Sequence, residues 1–249
     1  MRRFIVLVGL LFLSGCMNNA NEEEKTIYIA AAADLYHAFT EIGDEFTEQT
    51  GTKVEYTFGA TGLLTQQIQQ GAPFDLFAAA HESFIDRLVE SGDVLADTKV
   101  NYAVGRIVLM GRSGLDRLDE YALLGDEVQS IVIANPEHAP YGKAAQETLQ
   151  SWELWDQVKE KIIYAENIRQ AFQYVESGNV DVGFIALAHT LDTDLSYQLI
   201  DQADYEPIIQ ALAIVSDTEN YEASEQFIQF LVSDRGLELL SKYGFEQPS

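Results

Sequence analysis

The chain has 249 residues and carries 40 Asp and Glu against 15 Lys and Arg, a formal net charge of −25 at pH 7. That acidity argues against nucleic acid and against a basic membrane-binding surface as partners. A single cysteine excludes an internal disulfide, and the length suits one large domain or two modest lobes.

Residues 1–15 read as a leader. Arg2 and Arg3 supply a positive start, and the apolar run from Phe4 to Leu13 is too short to span a bilayer, which is the pattern of a secretory signal peptide. The run closes on "LSGC", which resembles a bacterial lipobox, so Cys16 is expected to become a lipidated N-terminus. Residues 16–25 are polar and aperiodic, the composition of a tether. The chain is therefore expected on the extracytoplasmic face of the cell membrane, held by the lipid on Cys16.

From Thr26 onward, strand-like and helix-like runs alternate. "TIYIAA" is a strand, and "LYHAFTEIGDEFTEQTG" a helix with Leu35, Phe39, Ile42 and Phe46 on one face and a stop at Gly51. "KVEYTF" is a strand, "LLTQQIQQG" a short helix, "FDLFAAA" a buried strand and "ESFIDRLVESG" a helix. "GRIVLMG" is a further strand, followed by a polar, irregular stretch. The rhythm then repeats: "SIVIAN" and "IIYA" are strands on either side of the helical region "GKAAQETLQSWELWDQVKEK". "NIRQAFQYVESG" is a helix, and "VDVGFIAL" and "PIIQALAIV" are strands. Two helical segments, "EASEQFIQFLVS" and "GLELLSKYGF", close the chain. Alternation of this kind predicts parallel α/β sheets, and two halves of similar size predict two lobes.

Enzymatic signatures are missing: there is no G-x-S-x-G, no G-x-G-x-x-G after a strand and no phosphate loop ending in Gly-Lys-Ser/Thr. The four histidines, at 37, 81, 138 and 189, are scattered without ligand spacing, so no tetrahedral metal-ion site and no cofactor are expected. A different signal repeats at four strand-to-helix junctions, where the chain becomes small, hydroxylated or cap-like: "AAAAD" at 30–34, "FGATGLL" at 58–64, "NPEHAPYGKAA" at 135–145 and "AENIR" at 165–169. A helix start offers unpaired N–H groups and a partial positive charge. In open α/β sheets such junctions gather at the carboxyl ends of the strands. Any one of them is ordinary N-capping, but four on two lobes point to a small oxyanion held without Lys or Arg.

The succession "AAAADL", "TFGATGLLTQQIQQGAPFDLFAAA", "NPEHAPYGKAAQETL", "ENIRQAFQYVESGNVDVGF" and "KYGF" resembles the periplasmic molybdate-binding proteins of bacterial ABC importers. The resemblance runs from about Thr26 to Phe245. It implies a two-lobed, type II periplasmic-binding-protein fold, each lobe a mainly parallel sheet flanked by helices, with the ligand cleft between them. Residues 26–105 and 211–249 are expected as lobe 1 and residues 106–210 as lobe 2. By the same resemblance the chain is no enzyme. It is expected to be a monomeric solute-binding protein that captures molybdate or tungstate and delivers it to the permease and ATPase subunits of the importer. Position by position, the ligand-contacting residues fall at Ala33 or Asp34, at Thr61, at Tyr141 and, through its backbone, at Ile168. Asp34 departs from the serine or threonine of the family. It is expected to cap the following helix by accepting from Tyr36 or His37. Arg169 is expected in a salt bridge, Trp152 and Trp155 in packing, and His138 in shaping its loop. The alternatives are another tetrahedral oxyanion, such as phosphate or sulfate, an enzyme built on the same fold, or an adhesin or signalling receptor.

Overall fold

The computed structural model describes residues 25–115, 117–191 and 193–248, so the expected leader, Cys16 and all of the tether but Lys25 lie outside the described residues. β1 (Thr26–Ala32) leads through a 3₁₀ turn, Ala33–Leu35, into α1 (Tyr36–Thr50). Leu35, Phe39, Ile42 and Phe46 are all fully buried, as the helical spacing requires, and the helix stops at Gly51, whose φ of 75° suits glycine. β2 (Lys53–Gly59), α2 (Thr61–Gln69), β3 (Leu76–Ala79) and α3 (Glu82–Ser91) follow. β4 (Val100–Gly105) then completes the outward half of the first lobe.

The second lobe holds β5 (Ile107–Gly111), β6 (Ile131–Ala134), α4 (Pro140–Ser151) and the short α5 (Trp155–Val158). β7 (Ile162–Ala165), α6 (Ile168–Glu176), β8 (Val182–Ala186) and β9 (Tyr197–Leu199) complete it. The chain returns to the first lobe with β10 (Ile208–Ile214) and ends in α7 (Tyr221–Leu231) and α8 (Asp234–Lys242). The helical region expected over 142–161 breaks after α4, where Glu153 takes a positive φ of 57°.

Two five-stranded sheets result, ordered β2-β1-β3-β10-β4 and β7-β6-β8-β5-β9. Each combines a parallel trio (β2-β1-β3 and β7-β6-β8) with one reversed strand, β10 or β5, and an edge strand, β4 or β9, paired antiparallel to it, all supplied where the chain changes lobe. The parallel strands feed helices through junctions at their carboxyl ends, so all these junctions face the space between the sheets. The return crossing lies between Leu199 and Ile208, and the limit expected between residues 210 and 211 falls inside β10.

Both crossings are tied by one side chain. Arg106, between β4 and β5, donates to Glu246 Oε1 at 2.6 Å, to the Ile200 carbonyl at 3.2 Å and to the Tyr205 hydroxyl at 3.3 Å. Next to it, Gly105 leaves room for the site: a Cβ there would stand 2.1 Å from the Tyr141 hydroxyl oxygen. Among the described residues no helix is long and apolar enough to cross a membrane.

Candidate oxyanion site between the lobes

The four junctions converge. A pocket of about 190 Å³, counted to its opening, is lined by Ala32, Ala33 and Asp34 beyond β1, and by Gly59, Ala60 and Thr61 at the start of α2. Ala80 beyond β3 joins them from the first lobe, while Ala139, Pro140 and Tyr141 at the start of α4 and Asn167 and Ile168 at the start of α6 come from the second. The structure thus brings Ala33, Asp34, Thr61, Tyr141 and Ile168 together around one cavity. Among the described residues, Asp34 is the only ionisable carboxyl on its wall, and neither Lys nor Arg lines it. Of the alanine run, only Ala32 and Ala33 reach the pocket; Ala30 and Ala31 are buried on opposite faces of the sheet.

Each donor has a local cause. The first N–H groups of α2, α4 and α6 lack intrahelical acceptors. Asn167 caps α6 by accepting from the Gln170 N–H at 3.0 Å, which fixes the helix start beside the pocket. Thr61 is buried, and its Oγ1 accepts from the Ala80 N–H at 3.2 Å, so the hydroxyl proton remains available to a ligand. Tyr141 is also buried. Burial, and then the neighbouring Asp34 charge, pushes its phenol well above the ordinary range, so it stays a neutral O–H donor.

Asp34 does not cap α1. Both the 3₁₀ turn and α1 lack a side-chain cap, and Asp34 Oδ2 instead accepts from Gln210 Nε2 on β10. The carboxylate is only 1% exposed, its Oδ1 has no partner, and burial raises its pKa from 3.8 to about 6 despite hydrogen bonds from Gln210 and Tyr141. The physical reason for the correction is competition: a fully buried amide on the neighbouring strand reaches the carboxylate that a capping geometry would have turned back. Gln210 is itself oriented, because its Oε1 accepts from the Tyr102 hydroxyl at 2.9 Å while Nε2 also donates to Tyr141 at 3.2 Å. Gln210 and Tyr102 are absent from the expected site. The only signal for the former is a glutamine inside the otherwise apolar run "PIIQALAIV".

Other expectations divide. Arg169 stands in no salt bridge among the described residues; its guanidinium lies 3.4 Å from the ring centroid of Tyr36, so α6 of one lobe stacks on α1 of the other. Trp152 packs at 6.1 Å from Phe184 and donates to Asp204 at 3.0 Å, and the half-buried Trp155 packs against the core. His138 shapes its loop through its backbone, whose carbonyl accepts from the Gly62 N–H at 2.8 Å across the cleft. A larger cavity of about 440 Å³ adjoins the site through Ala139 and Pro140. Its charges are already paired, Lys143 with Glu206 at 2.6 Å and with Glu147 at 3.2 Å, so it offers an anion no unengaged cation.

Two α/β lobes joined by two crossings, with convergent helix starts in the cleft, define a binding protein of the two-lobed class. The chain belongs to the bacterial extracellular solute-binding protein family, whose model matches residues 27–246. It is 33% identical over 220 residues to the molybdate-binding protein ModA of Rhodobacter capsulatus, covering 88% of this chain and 87% of that one. It is 32% identical over 248 residues, 96% of this chain and 95% of the other, to YvgL of Bacillus subtilis (strain 168), named provisionally as an ABC transporter substrate-binding lipoprotein. Among solved structures, the periplasmic molybdate-binding protein of Azotobacter vinelandii superposes with a TM-score of 0.86 at 29% identity, covering 90% of this chain and 100% of that one. Members of this family bind solutes and are not enzymes.

Proposed function

We propose that this protein captures molybdate or tungstate between its lobes and delivers it to the permease and ATPase subunits of an ABC importer. The observation that carries the reading is the convergence of four strand-to-helix junctions and two hydroxyls, Thr61 and Tyr141, on one cavity that no lysine or arginine lines among the described residues. That donor set suits a tetrahedral oxyanion held by N–H and O–H groups. The molybdate-binding names of the relatives support the choice of ligand. On this reading residues 26–105 and the segment from β10 onward act as lobe 1, residues between the crossings act as lobe 2, and Arg106 sits at the hinge. A lipid on Cys16 holds the monomer at the outer face of the membrane, in keeping with the lipoprotein name of the Bacillus relative.

One observation favours a second ligand. Asp34 Oδ1 is buried without a partner at the pocket wall, and it would accept a hydrogen bond from an oxyanion that carries a proton, such as hydrogen phosphate. Thermal melting against a panel of oxyanions separates the two. A ligand at about 100 times its Kd adds roughly 2.7 kcal/mol. For a domain of this size that is a rise of roughly 5–10 °C. Molybdate and tungstate are expected to give it and the smaller sulfate to give little. Equal shifts with sulfate, or a shift with phosphate alone, would overturn the assignment.

A further inference from the structure

Asp34 lines the pocket, and its Oδ1 is buried without a hydrogen-bond partner. Its Oδ2 accepts from the Gln210 amide nitrogen, while the amide oxygen accepts from the Tyr102 hydroxyl at 2.9 Å. The Tyr141 hydroxyl oxygen accepts from the same Gln210 amide at 3.2 Å and its phenol stays protonated, so an oxyanion that accepts from Tyr141 arrives as a second negative group beside Asp34. Among the described residues, the elements packed around the turn place no cation in an ion pair with Asp34. Tyr102 on β4 and Tyr141 on α4 are held neutral by burial. Arg169 on α6 lies against the ring of Tyr36, and His37 on α1 is at 5.5 Å from His189. His189, beyond β8, is kept neutral with its pKa lowered to about 3, by burial first and then by His37 and Arg169.

We infer that capture of the oxyanion is proton-linked through Asp34: the complex holds one proton between Asp34 Oδ1 and a ligand oxygen. A doubly charged anion that brings no proton enters together with one from solvent, which ends on the carboxylate. An anion that already carries a proton donates it to the ionised carboxylate, and none is taken up. Asp34 thereby makes the site sensitive to pH for the first kind of ligand and selects the protonated form of the second. The inference rests on the reading of the site as an oxyanion pocket. The pKa of about 6 in the ligand-free protein sets the window, since below it the proton is already in place.

The test is titration calorimetry of the full extracytoplasmic domain with sodium molybdate from pH 5 to 9, in paired buffers of different ionisation enthalpy. Uptake approaching one proton is expected at pH 8, with the Kd flat below about pH 6 and rising up to tenfold per pH unit above it. Asp34→Asn cannot ionise, and its Kd is expected to be independent of pH. Wild-type binding with neither proton uptake nor pH dependence would overturn the inference while leaving the molybdate assignment intact. So would an Asp34→Asn variant that keeps the wild-type slope, because the proton would then belong elsewhere. Sodium phosphate is the second arm. Phosphate binding without net uptake at pH 8, with molybdate silent at every pH, would sustain the role of Asp34 and remove the molybdate assignment. No binding of either anion would remove both.

Discussion

Replacing Asp34 with Asn should stabilise the ligand-free domain, and only at neutral and alkaline pH. The wild-type carboxyl has its pKa raised from 3.8 to about 6, burial being the larger cause. The folded protein therefore binds this proton more tightly than the unfolded chain does. Below about pH 4 both states carry it and the site costs nothing. The cost grows as pH rises through the interval between the two values and is complete above about pH 6. Over that interval it reaches about 3 kcal/mol, at 1.36 kcal/mol for each pH unit between them. Asn keeps an oxygen to accept from Gln210 Nε2 and removes the charge. At 2–4 °C per kcal/mol the variant should melt roughly 6–12 °C above wild type at pH 8. Near pH 4 the two proteins should converge, since a protonated Asp and an Asn are nearly isosteric and all other carboxylates are common to both. Differential scanning calorimetry of both proteins at the two pH values decides it. An equal melting temperature at pH 8, or the same difference at both pH values, would show that the buried carboxylate is not strained by its charge.

Thr61→Val and Tyr141→Phe each remove a donor that we propose for the anion, a bond worth about 1.5–3 kcal/mol to a charged acceptor. Molybdate affinity by calorimetry should fall roughly ten- to hundred-fold in each, and unchanged affinity in both would take them out of the site. Gly62→Ala places a Cβ 3.0 Å from His138 Cα and 3.1 Å from its carbonyl oxygen, a backbone clash across the cleft. It should weaken ligand binding while leaving the melting temperature of the ligand-free protein within a few degrees; unaltered affinity would mean the lobes close without this contact. Phe39→Ala empties a fully buried position between α1, α7 and the first sheet and should cost about 3–5 kcal/mol in denaturant unfolding.

Local chemistry made the helix starts legible, and distant partners hid the rest. Thr61, Tyr141 and Ile168 stand at the mouths of helices whose apolar spacing and small flanking residues are written within a dozen positions, so their convergence follows once the sheets are parallel at the centre. Asp34 escapes a local reading for the opposite reason. Its partner Gln210 is 176 residues away, and only the return of the chain as β10 sets the two side by side. β4 and β9 carry weak patterns: β4 interrupts its apolar run with Asn101 and has mixed burial, and β9 is three exposed residues on a sheet edge. Their pairing comes from neighbours rather than from periodicity. Arg169 has carboxylates nearby in sequence, but the ring it stacks on belongs to the other lobe, a choice made by lobe closure.

The proposed site holds one tetrahedral oxyanion between the lobes, bound by the four junctions and two hydroxyls. Anomalous diffraction at a tungsten edge from crystals grown with tungstate tests it most directly. A single strong peak is expected within hydrogen-bond reach of Thr61 Oγ1, the Tyr141 hydroxyl and the backbone N–H groups of Ala33 and Ile168, with Asp34 Oδ1 against a ligand oxygen. A peak at the neighbouring Lys143 cavity, or none between the lobes in a crystal that holds tungstate elsewhere, would contradict it.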